Sequence, residues 1–326
     1  MASPTPLPGK IALEEHYTSP WLSPSRGEVP FFDPDVFNAL EPKLHDLNQT
    51  RLQAMDEAGV AIAVLSQTAP GVEAEQDAQL ATELARRSNT FLHERIKLHP
   101  ERFRGFACLA LQDVAAACEE LRRCIGELGF VGVLVNGSIQ GAYLDAPQFE
   151  PFWRTLEQLE VPLYLHPGLS AAPNPALIGR PELAGPVWAW TVDTASHALR
   201  LVTGGVFDRH PGCRIIVGHM GETLPFQLWR FDSRSAICVS GRRLSRPPSE
   251  TIREHVYVTT SGVCDDSALR CAIETMGEDR VMFSIDYPYE DHALAGRWID
   301  AADLPEVQKR KVTRDTAARL LRLPLS

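Results

Sequence analysis

Short, almost continuously apolar runs alternate along the chain with longer segments in which apolar residues recur every three to four positions. The short runs are rich in β-branched and aromatic residues, a pattern that favours parallel strands covered on both faces. Eight of them occur, over residues 10–17, 61–67, 104–111, 131–137, 161–167, 214–220, 255–262 and 280–288. The pattern therefore predicts eight strands.

The segments between these runs have the apolar spacing of amphipathic helices. They cover residues 73–98, 113–128, 149–159, 194–207, 224–237 and 265–276, with a helix-like run over 44–58 and one broken or two short helices over 304–321. Eight alternating strand and helix units in a chain of this length predict a single closed (β/α)8 barrel. An eight-stranded doubly wound sheet is the structural alternative.

Composition and charge narrow the class of protein. The formal net charge of −10 argues against binding to nucleic acid or to an anionic membrane surface. No stretch approaches the ~20 apolar residues that a membrane span needs, and the N-terminal segment lacks an apolar run of signal-peptide length. The seven cysteines contain no Cys-x-x-Cys pair, so we expect reduced, mostly buried thiols. We predict a cytoplasmic protein with a tail over residues 1–9 and a single catalytic domain over residues 10–326.

Side chains that can bind a metal fall where the predicted strands end. Glu14 and His16 are two residues apart in the first strand, so their side chains point to the same face. His166, His219 and Asp286 end the fifth, sixth and eighth predicted strands. In a barrel, all five converge on the mouth at the C-terminal ends of the strands. Imidazole nitrogens and carboxylate oxygens together suit Zn²⁺ or Mn²⁺.

Each of these residues also has a simpler explanation. A lone histidine near a strand end is more often a hydrogen-bonded structural residue than a ligand, and Asp286 could cap the next helix. Without a metal site, all of these separate explanations would have to hold at once. A joint metal site is therefore the favoured interpretation. His197 lies in a helical pattern and is interpreted as a packing or hydrogen-bonding residue. The sequence contains no glycine-rich phosphate loop after a strand and no Gly-x-Ser-x-Gly elbow.

Six motifs, in order between about residues 9 and 321, carry a resemblance to a known family. They are Ile11-Ala-Leu-Glu-Glu-His, Val133-Leu-Val-Asn-Gly, Leu163-Tyr-Leu-His-Pro, Ile216-Val-Gly-His-Met-Gly-Glu-Thr-Leu-Pro, Trp229-Arg-Phe-Asp and Phe283-Ser-Ile-Asp-Tyr-Pro-Tyr-Glu. Together they resemble the γ-resorcylate and 2,3-dihydroxybenzoate decarboxylases. These enzymes belong to the aminocarboxymuconate-semialdehyde decarboxylase branch of the amidohydrolase superfamily.

The resemblance implies roles for eight residues. Glu14, His16, His166 and Asp286 would bind the metal, Asp286, His219 and Glu222 would be catalytic, and Arg230 and Tyr289 would lie near the substrate or a subunit contact. Tyr289 stands where the γ-resorcylate enzymes tend to have Phe, and the segment from Gly168 is less polar than theirs. The identity of the aromatic acid therefore stays open. The resemblance also implies a homotetramer or homodimer, with contacts through the helix that carries Trp229 and Arg230.

The implied reaction is the reversible, non-oxidative decarboxylation of an ortho-hydroxybenzoic acid such as 2,3- or 2,6-dihydroxybenzoate or salicylate. The fourth strand contains no lysine that could bridge two metals, which implies one divalent ion, Zn²⁺ or Mn²⁺, and no organic cofactor. Asp286 is the first choice to protonate the ring carbon, and His219 is the second. Two alternatives remain: a mononuclear metal-dependent hydrolase of a lactone, ester or amide, and a binding or scaffold protein without a metal.

Overall fold

The eight predicted strands form one parallel sheet in which the order of the strands is their order along the chain. The computed structural model describes residues 9–25, 27–169, 174–238 and 243–324. The strands are β1 (Lys10–Tyr17), β2 (Val60–Gln67), β3 (Phe103–Ala107), β4 (Gly132–Asn136), β5 (Leu163–His166), β6 (Ile215–Val217), β7 (Val256–Thr259) and β8 (Val281–Met282).

The sheet closes on itself through the segment that follows β8. The backbone N–H of Asp286 donates to the carbonyl of Glu14 at 2.9 Å, and the N–H of His16 donates to the carbonyl of Tyr287 at 2.7 Å. These bonds join the chain after β8 to β1, and the predicted (β/α)8 barrel is confirmed. The doubly wound sheet is excluded, because its edge strands would not pair with each other.

Helices cover the outside of the barrel. They span Pro34–His45, Gln49–Ala58, Ala78–Ile96, Val114–Gly126, Glu150–Leu159, Ala189–Thr203, Val206–Arg209, Leu224–Ser235, Pro248–His255, Asp266–Met276, His292–Ala301, Glu306–Arg310 and Thr316–Leu320, with a π turn, Lys311–Asp315, between the last two. The helices Pro34–His45, Pro248–His255 and His292–Ala301 were not predicted. Two of these three begin with proline, which fits the first turn of a helix, and the third is capped by the side chain of Asp291.

Two strands are much shorter than predicted, and the reason lies in the backbone after each. The prediction for the sixth strand extended to residue 220, but the chain leaves the sheet after Val217. The prediction for the eighth extended to residue 288, but β8 ends at Met282. Beyond it, the N–H groups of Ser284 and Ile285 donate to the side-chain oxygens of Thr260, just after β7, and of Glu15 in β1, rather than to a backbone carbonyl. His219 and Asp286 therefore lie in the connections after β6 and β8, not in the strands themselves.

Apolar side chains pack against both faces of the sheet, one layer inside the barrel and one outside it. The barrel interior is filled by one large residue or more from each strand, and the C-terminal helix packs on the same cluster, which comprises Ile11, Leu13, Val64, Phe106, Leu134, Tyr164, Ile216, Tyr257, Met282, Ala317, Ala318, Leu321 and Leu323. A larger cluster lies between the strands and the outer helices. Because the interior is filled with side chains, we look for a site at the C-terminal ends of the strands, where barrel enzymes have their active sites.

Several predictions about the chain as a whole have different outcomes. All seven cysteines are free, and four of them are buried, as predicted. Among the described residues, no helix is long and apolar enough to cross a membrane. The cytoplasmic location and the division into a tail and a catalytic domain stay predictions. Residues 1–8 of that tail, and residues 170–173 of the segment after Gly168, lie outside the described residues.

Candidate metal centre and active site

Four of the predicted metal-binding side chains meet at the mouth of the barrel. Glu14, His16, His166 and Asp286 each offer one ligand atom, and these atoms all lie within 4.8 Å of one another. His16 Nε2 is 3.2 Å from Asp286 Oδ1, and His166 Nε2 is 3.3 Å from Glu14 Oε1. Three of the four side chains are buried, and Asp286 is partly exposed.

An irregularity in β1 brings Glu14 and His16 to this point. Ile11 and Leu13 point into the barrel interior, so strict alternation would turn Glu14 and His16 outward. The pairing of β1 with β2 shifts between Ala12 and Glu15, as in a β-bulge. A bulge redirects the side chains that follow it, and here it keeps both ligands inside the barrel.

Each buried ligand is held from behind by a polar side chain. Glu14 Oε2 accepts hydrogen bonds from the hydroxyl groups of Tyr164 and Ser261. His16 Nδ1 is 3.3 Å from the hydroxyl of Ser66. The nitrogen His166 Nδ1 lies 2.9 Å from the amide oxygen of Asn136. Such partners fix the orientation of metal ligands and raise their affinity.

The atoms that face the centre of the cluster lack partners of their own. Glu14 Oε1 and His16 Nε2 are buried and have no hydrogen-bond partner among the described residues. Buried polar atoms are rarely left in this state, because each costs about 1–3 kcal/mol. Burial opposes the charged form of Glu14, yet nearby His219 and His166 hold its pKa well below the ordinary value. Burial lowers the pKa of His166. An ionised carboxylate beside a neutral imidazole is the combination that a divalent cation requires.

His219 lies beside the cluster on an unusual turn. The five residues from His219 to Thr223 all have positive φ, between 48° and 78°, so the chain makes a left-handed turn directly after β6. Left-handed backbone is costly for residues other than glycine and is concentrated at functional sites. The turn starts at Gly218, where a Cβ atom would collide with the carboxylate of Glu14. The close approach of this turn to Glu14 therefore requires glycine at position 218.

The His219 side chain joins Glu222 to the metal-binding cluster. Its Nδ1 is 2.7 Å from Glu222 Oε1, and its Nε2 is 3.5 Å from both Glu14 Oε1 and Asp286 Oδ2. Burial alone would lower the pKa of His219, but the surrounding carboxylates together raise it well above its ordinary value. The carboxylates therefore favour the protonated form of the imidazole, whose Nε2 faces Asp286.

Arg230 and Tyr289 have different surroundings. Arg230 is exposed on the helix Leu224–Ser235 and is not among the described residues that line the cavity next to the site. The ring of Tyr289 packs edge-on against His16, with 5.7 Å between ring centroids, and stacks on Phe32. The hydroxyl of Tyr289 is 2.6 Å from that of Thr68. Tyr289 thus borders the metal-binding cluster, whereas Arg230 does not touch it within one chain.

A cavity of about 850 Å³ opens next to the metal-binding cluster, a size typical of small-molecule sites. Its lining includes the polar side chains of His219, Glu222, Asp286 and Glu290 and the apolar side chains of Pro167, Val187, Trp188, Trp190, Met220 and Phe226. Apolar and aromatic walls with a few converging polar groups are suited to a planar, partly charged molecule.

The residues behind the ligands were missed by reasoning from the sequence. Tyr164 could have been found, because it is two residues before His166 in one strand and must share its face. Ser66, Asn136 and Ser261 could not, since nothing in their local sequence indicates which neighbouring strand they contact. His197, in contrast, is the buried hydrogen-bonding residue that the sequence predicted: its Nε2 accepts the backbone N–H of Leu144 at 2.9 Å.

A (β/α)8 barrel with two histidines and two carboxylates at its C-terminal mouth defines a metal-dependent barrel of the amidohydrolase type. The sequence profile of the amidohydrolase family matches residues 41–323. The γ-resorcylate decarboxylase of Rhodococcus jostii (strain RHA1) is 43% identical over 336 residues, which cover 97% of this chain and 99% of that protein. The chain therefore belongs to the amidohydrolase family and, within it, to the group of the γ-resorcylate decarboxylases.

Solved structures agree with this assignment. A 2,6-dihydroxybenzoate decarboxylase in complex with 2,6-dihydroxybenzoate has a TM-score of 0.91 and 42% identity, with 97% of this chain and 99% of that chain covered. A dihydroxybenzoic acid decarboxylase from Polaromonas sp. JS666, with bound manganese and the inhibitor 2-nitroresorcinol, has a TM-score of 0.90 and 40% identity over 97% of both chains. The predicted family resemblance is confirmed.

Proposed function

We propose that this chain is a metal-dependent, non-oxidative decarboxylase of ortho-hydroxybenzoic acids, with 2,6-dihydroxybenzoate as the first substrate to test. The observation that carries the proposal is the convergence of four ligand atoms, two of them buried and unpartnered, beside an aromatic-lined cavity. The relatives named above act on acids of this class. The reaction is reversible, so the same site would carboxylate the corresponding phenol.

Glu14, His16, His166 and Asp286 would hold one divalent ion, Mn²⁺ or Zn²⁺. When bound, the ion would supply positive charge that stabilises the anionic oxygens of an ortho-hydroxybenzoate. The charges of Glu14 and Asp286 offset those of a divalent ion, which leaves a site of low net charge that still accepts an anion. Trp188 and Trp190 line the cavity and would exclude water from one side of the substrate ring.

Proton delivery is the step that falls to the protein. The bond between the ring carbon and the carboxylate breaks as CO₂ leaves, and a C–H bond forms at the same carbon. Asp286 is the proposed donor, because its carboxylate faces both the cavity and His219. Glu222 would accept a hydrogen bond from the Nδ1–H group of His219, which directs Nε2 toward Asp286. His219 would then resupply the proton that Asp286 gives to the ring carbon.

The first test is a substrate panel on purified protein of known metal content. We expect CO₂ release from 2,6-dihydroxybenzoate, 2,3-dihydroxybenzoate, salicylate or orsellinate, loss of that release with a chelator, and recovery with Mn²⁺ or Zn²⁺. Product phenol and CO₂ are followed together. Silence across the panel by a protein with stoichiometric metal would contradict the proposal and favour the hydrolase alternative, in which lactones or esters turn over without CO₂.

We also propose that the chain forms a homodimer or homotetramer through the outer face of the helix Leu224–Ser235. Phe226 and Trp229 on this helix are 79% and 77% exposed, and Val187 and Trp188 add further exposed apolar area. A cluster of exposed aromatic residues of this kind is typical of an interface between proteins. Because Phe226 and Trp188 also line the cavity, the interface would border the mouth of the active site.

Trp229→Asp is expected to shift the protein to a smaller species, which light scattering after size-exclusion chromatography would measure. Burying the new carboxylate in an apolar interface without a partner costs several kcal/mol. Leu98→Asp is the matched control, because Leu98 is 60% exposed in the connection that enters β3, at the other end of the barrel. A wild-type protein that is monomeric at micromolar concentration, or a Trp229→Asp variant of wild-type mass, would refute this interface.

A further inference from the structure

A buried glutamate lies behind one of the metal-binding histidines. Glu73 belongs to the short turn Gly71–Ala74 that follows β2, and its side chain reaches the end of β4. Its Oε1 accepts the backbone N–H of Asn136 at 2.8 Å, and its Oε2 is 3.4 Å from Asn136 Nδ2. The amide oxygen of the same asparagine faces His166 Nδ1 at 2.9 Å. Three residues, from the turn after β2 and from the ends of β4 and β5, thus form one buried chain of contacts.

A carboxylate in this position needs an explanation, because burying it is costly. Glu73 is 6% exposed, and it makes no salt bridge with any residue of the described chain. Burial raises the pKa of Glu73 to about 7, so the ionised form predominates at pH 8. A glutamine could accept the same backbone N–H from Asn136 through its amide oxygen. The hydrogen bond between this turn and β4 therefore does not by itself require a charged residue.

The charged form matters for the direction of the Asn136 amide. An ionised carboxylate only accepts hydrogen bonds, so it turns the NH₂ group of Asn136 toward Glu73 and the amide oxygen toward His166. An amide oxygen also only accepts, which places the ring proton of His166 on Nδ1. The lone pair of Nε2 is then free on the side that faces Glu14. A histidine binds a metal only through a nitrogen that carries no proton.

We propose that Glu73 is a positioning residue that acts through Asn136 to set the tautomer of His166 and thereby the metal affinity of the site. This inference rests on the metal site of the proposed function. It adds a residue that touches neither the metal-binding cluster nor the cavity. No reacting atom contacts Glu73, so its effect should appear in metal binding before it appears in any rate.

Glu73→Gln tests the inference because it changes charge and hydrogen bonding at constant shape. With its amide oxygen on the Asn136 N–H, the new side chain presents an NH₂ group to the Asn136 amide and favours its flipped orientation. The His166 Nε2 atom would then carry the proton. We expect the Kd for Mn²⁺, measured by titration of chelator-treated protein at pH 8, to rise about 10- to 100-fold, the usual effect of losing such a partner.

A second substitution in the same chain of contacts should reverse this effect. Combining Glu73→Gln with Asn136→Asp puts a carboxylate between two donors, so it can accept from the new amide and from His166 Nδ1 at once. We expect the double variant to regain most of the wild-type affinity for Mn²⁺. Glu75→Gln is the matched control: Glu75 lies two residues away, and the only described hydrogen bond of its side chain is with the N–H of Asp77, so its change should leave the Kd unaltered.

The outcomes separate this inference from the proposed function. A wild-type protein that binds no Mn²⁺ or Zn²⁺ would overturn the metal site itself. Wild-type affinity in Glu73→Gln would leave that site intact and overturn the role of Glu73. Weak binding in both the single and the double variant would also overturn it, because the carboxylate would then be needed for something other than the direction of the amide.

Discussion

Asp286→Asn is expected to lower kcat/KM for decarboxylation by about 10³-fold or more, close to complete loss of activity. The carboxylate of Asp286 serves two groups at once, with Oδ1 3.2 Å from His16 Nε2 and Oδ2 3.5 Å from His219 Nε2. Asparagine keeps the shape of the side chain but removes its negative charge and its capacity to carry a proton. The variant should therefore lose both a ligand charge and the proposed proton donor.

The comparison needs a second aspartate at which the same change is harmless. Asp291 caps the helix His292–Ala301 by accepting the N–H of Leu294 at 2.9 Å, and asparagine is an equally good cap. Asp291→Asn should retain the wild-type rate, metal content and unfolding temperature. A wild-type rate in Asp286→Asn would remove Asp286 from both of its proposed roles, while loss of rate in both variants would point to a change in this whole segment.

The barrel could be predicted because its signal is local. Each strand is a short apolar run, each outer helix has a regular apolar stripe, and the eight units repeat in order along the chain. The strand ends were less predictable. After β8, Ser284 and Ile285 remain buried, but their N–H groups donate to the side chains of Thr260 and Glu15. Hydrophobicity cannot distinguish such a segment from a strand, because the difference lies in where the backbone bonds go.

The same contrast holds within the site. The spacing of Glu14 and His16 predicted that they share a face, but not that this face is the barrel interior. That outcome depends on a bulge at Leu13 and Glu14, whose N–H groups both donate to the hydroxyl of Ser284, about 270 positions later in the chain. The partners behind the ligands depend in the same way on contacts between strands. The positions of strand ends gave five candidate ligands and the family resemblance selected four of them, whereas only the fold shows the side chains that orient them.

His219→Asn is the variant that best separates metal binding from catalysis. His219 Nε2 is 3.5 Å from Glu14 Oε1 and from Asp286 Oδ2. His219 is therefore near the metal-binding cluster but is not one of its four residues. We expect the variant to keep its metal and to lose about 10²- to 10⁴-fold in kcat, the usual effect of removing a proton-transfer group. Metal content and kcat, measured on the same sample, check both parts.

Glu222→Gln should show a smaller loss than His219→Asn, because it leaves the imidazole in place and weakens only its orientation and charge. The carboxylate of Glu222 is 2.7 Å from His219 Nδ1 and contributes to the raised pKa of that ring. With a glutamine there, the pKa of His219 falls, so the protonated form is lost at a lower pH and the alkaline limb of the kcat profile should move toward acid. His45→Gln, a change at an exposed histidine that contacts Ser23, is the control and should change neither kcat nor its pH profile.

Two outcomes would contradict these roles. Loss of metal in His219→Asn would make His219 a fifth ligand. An equal loss of kcat in His219→Asn and Glu222→Gln would mean that the histidine and the glutamate act only as a pair.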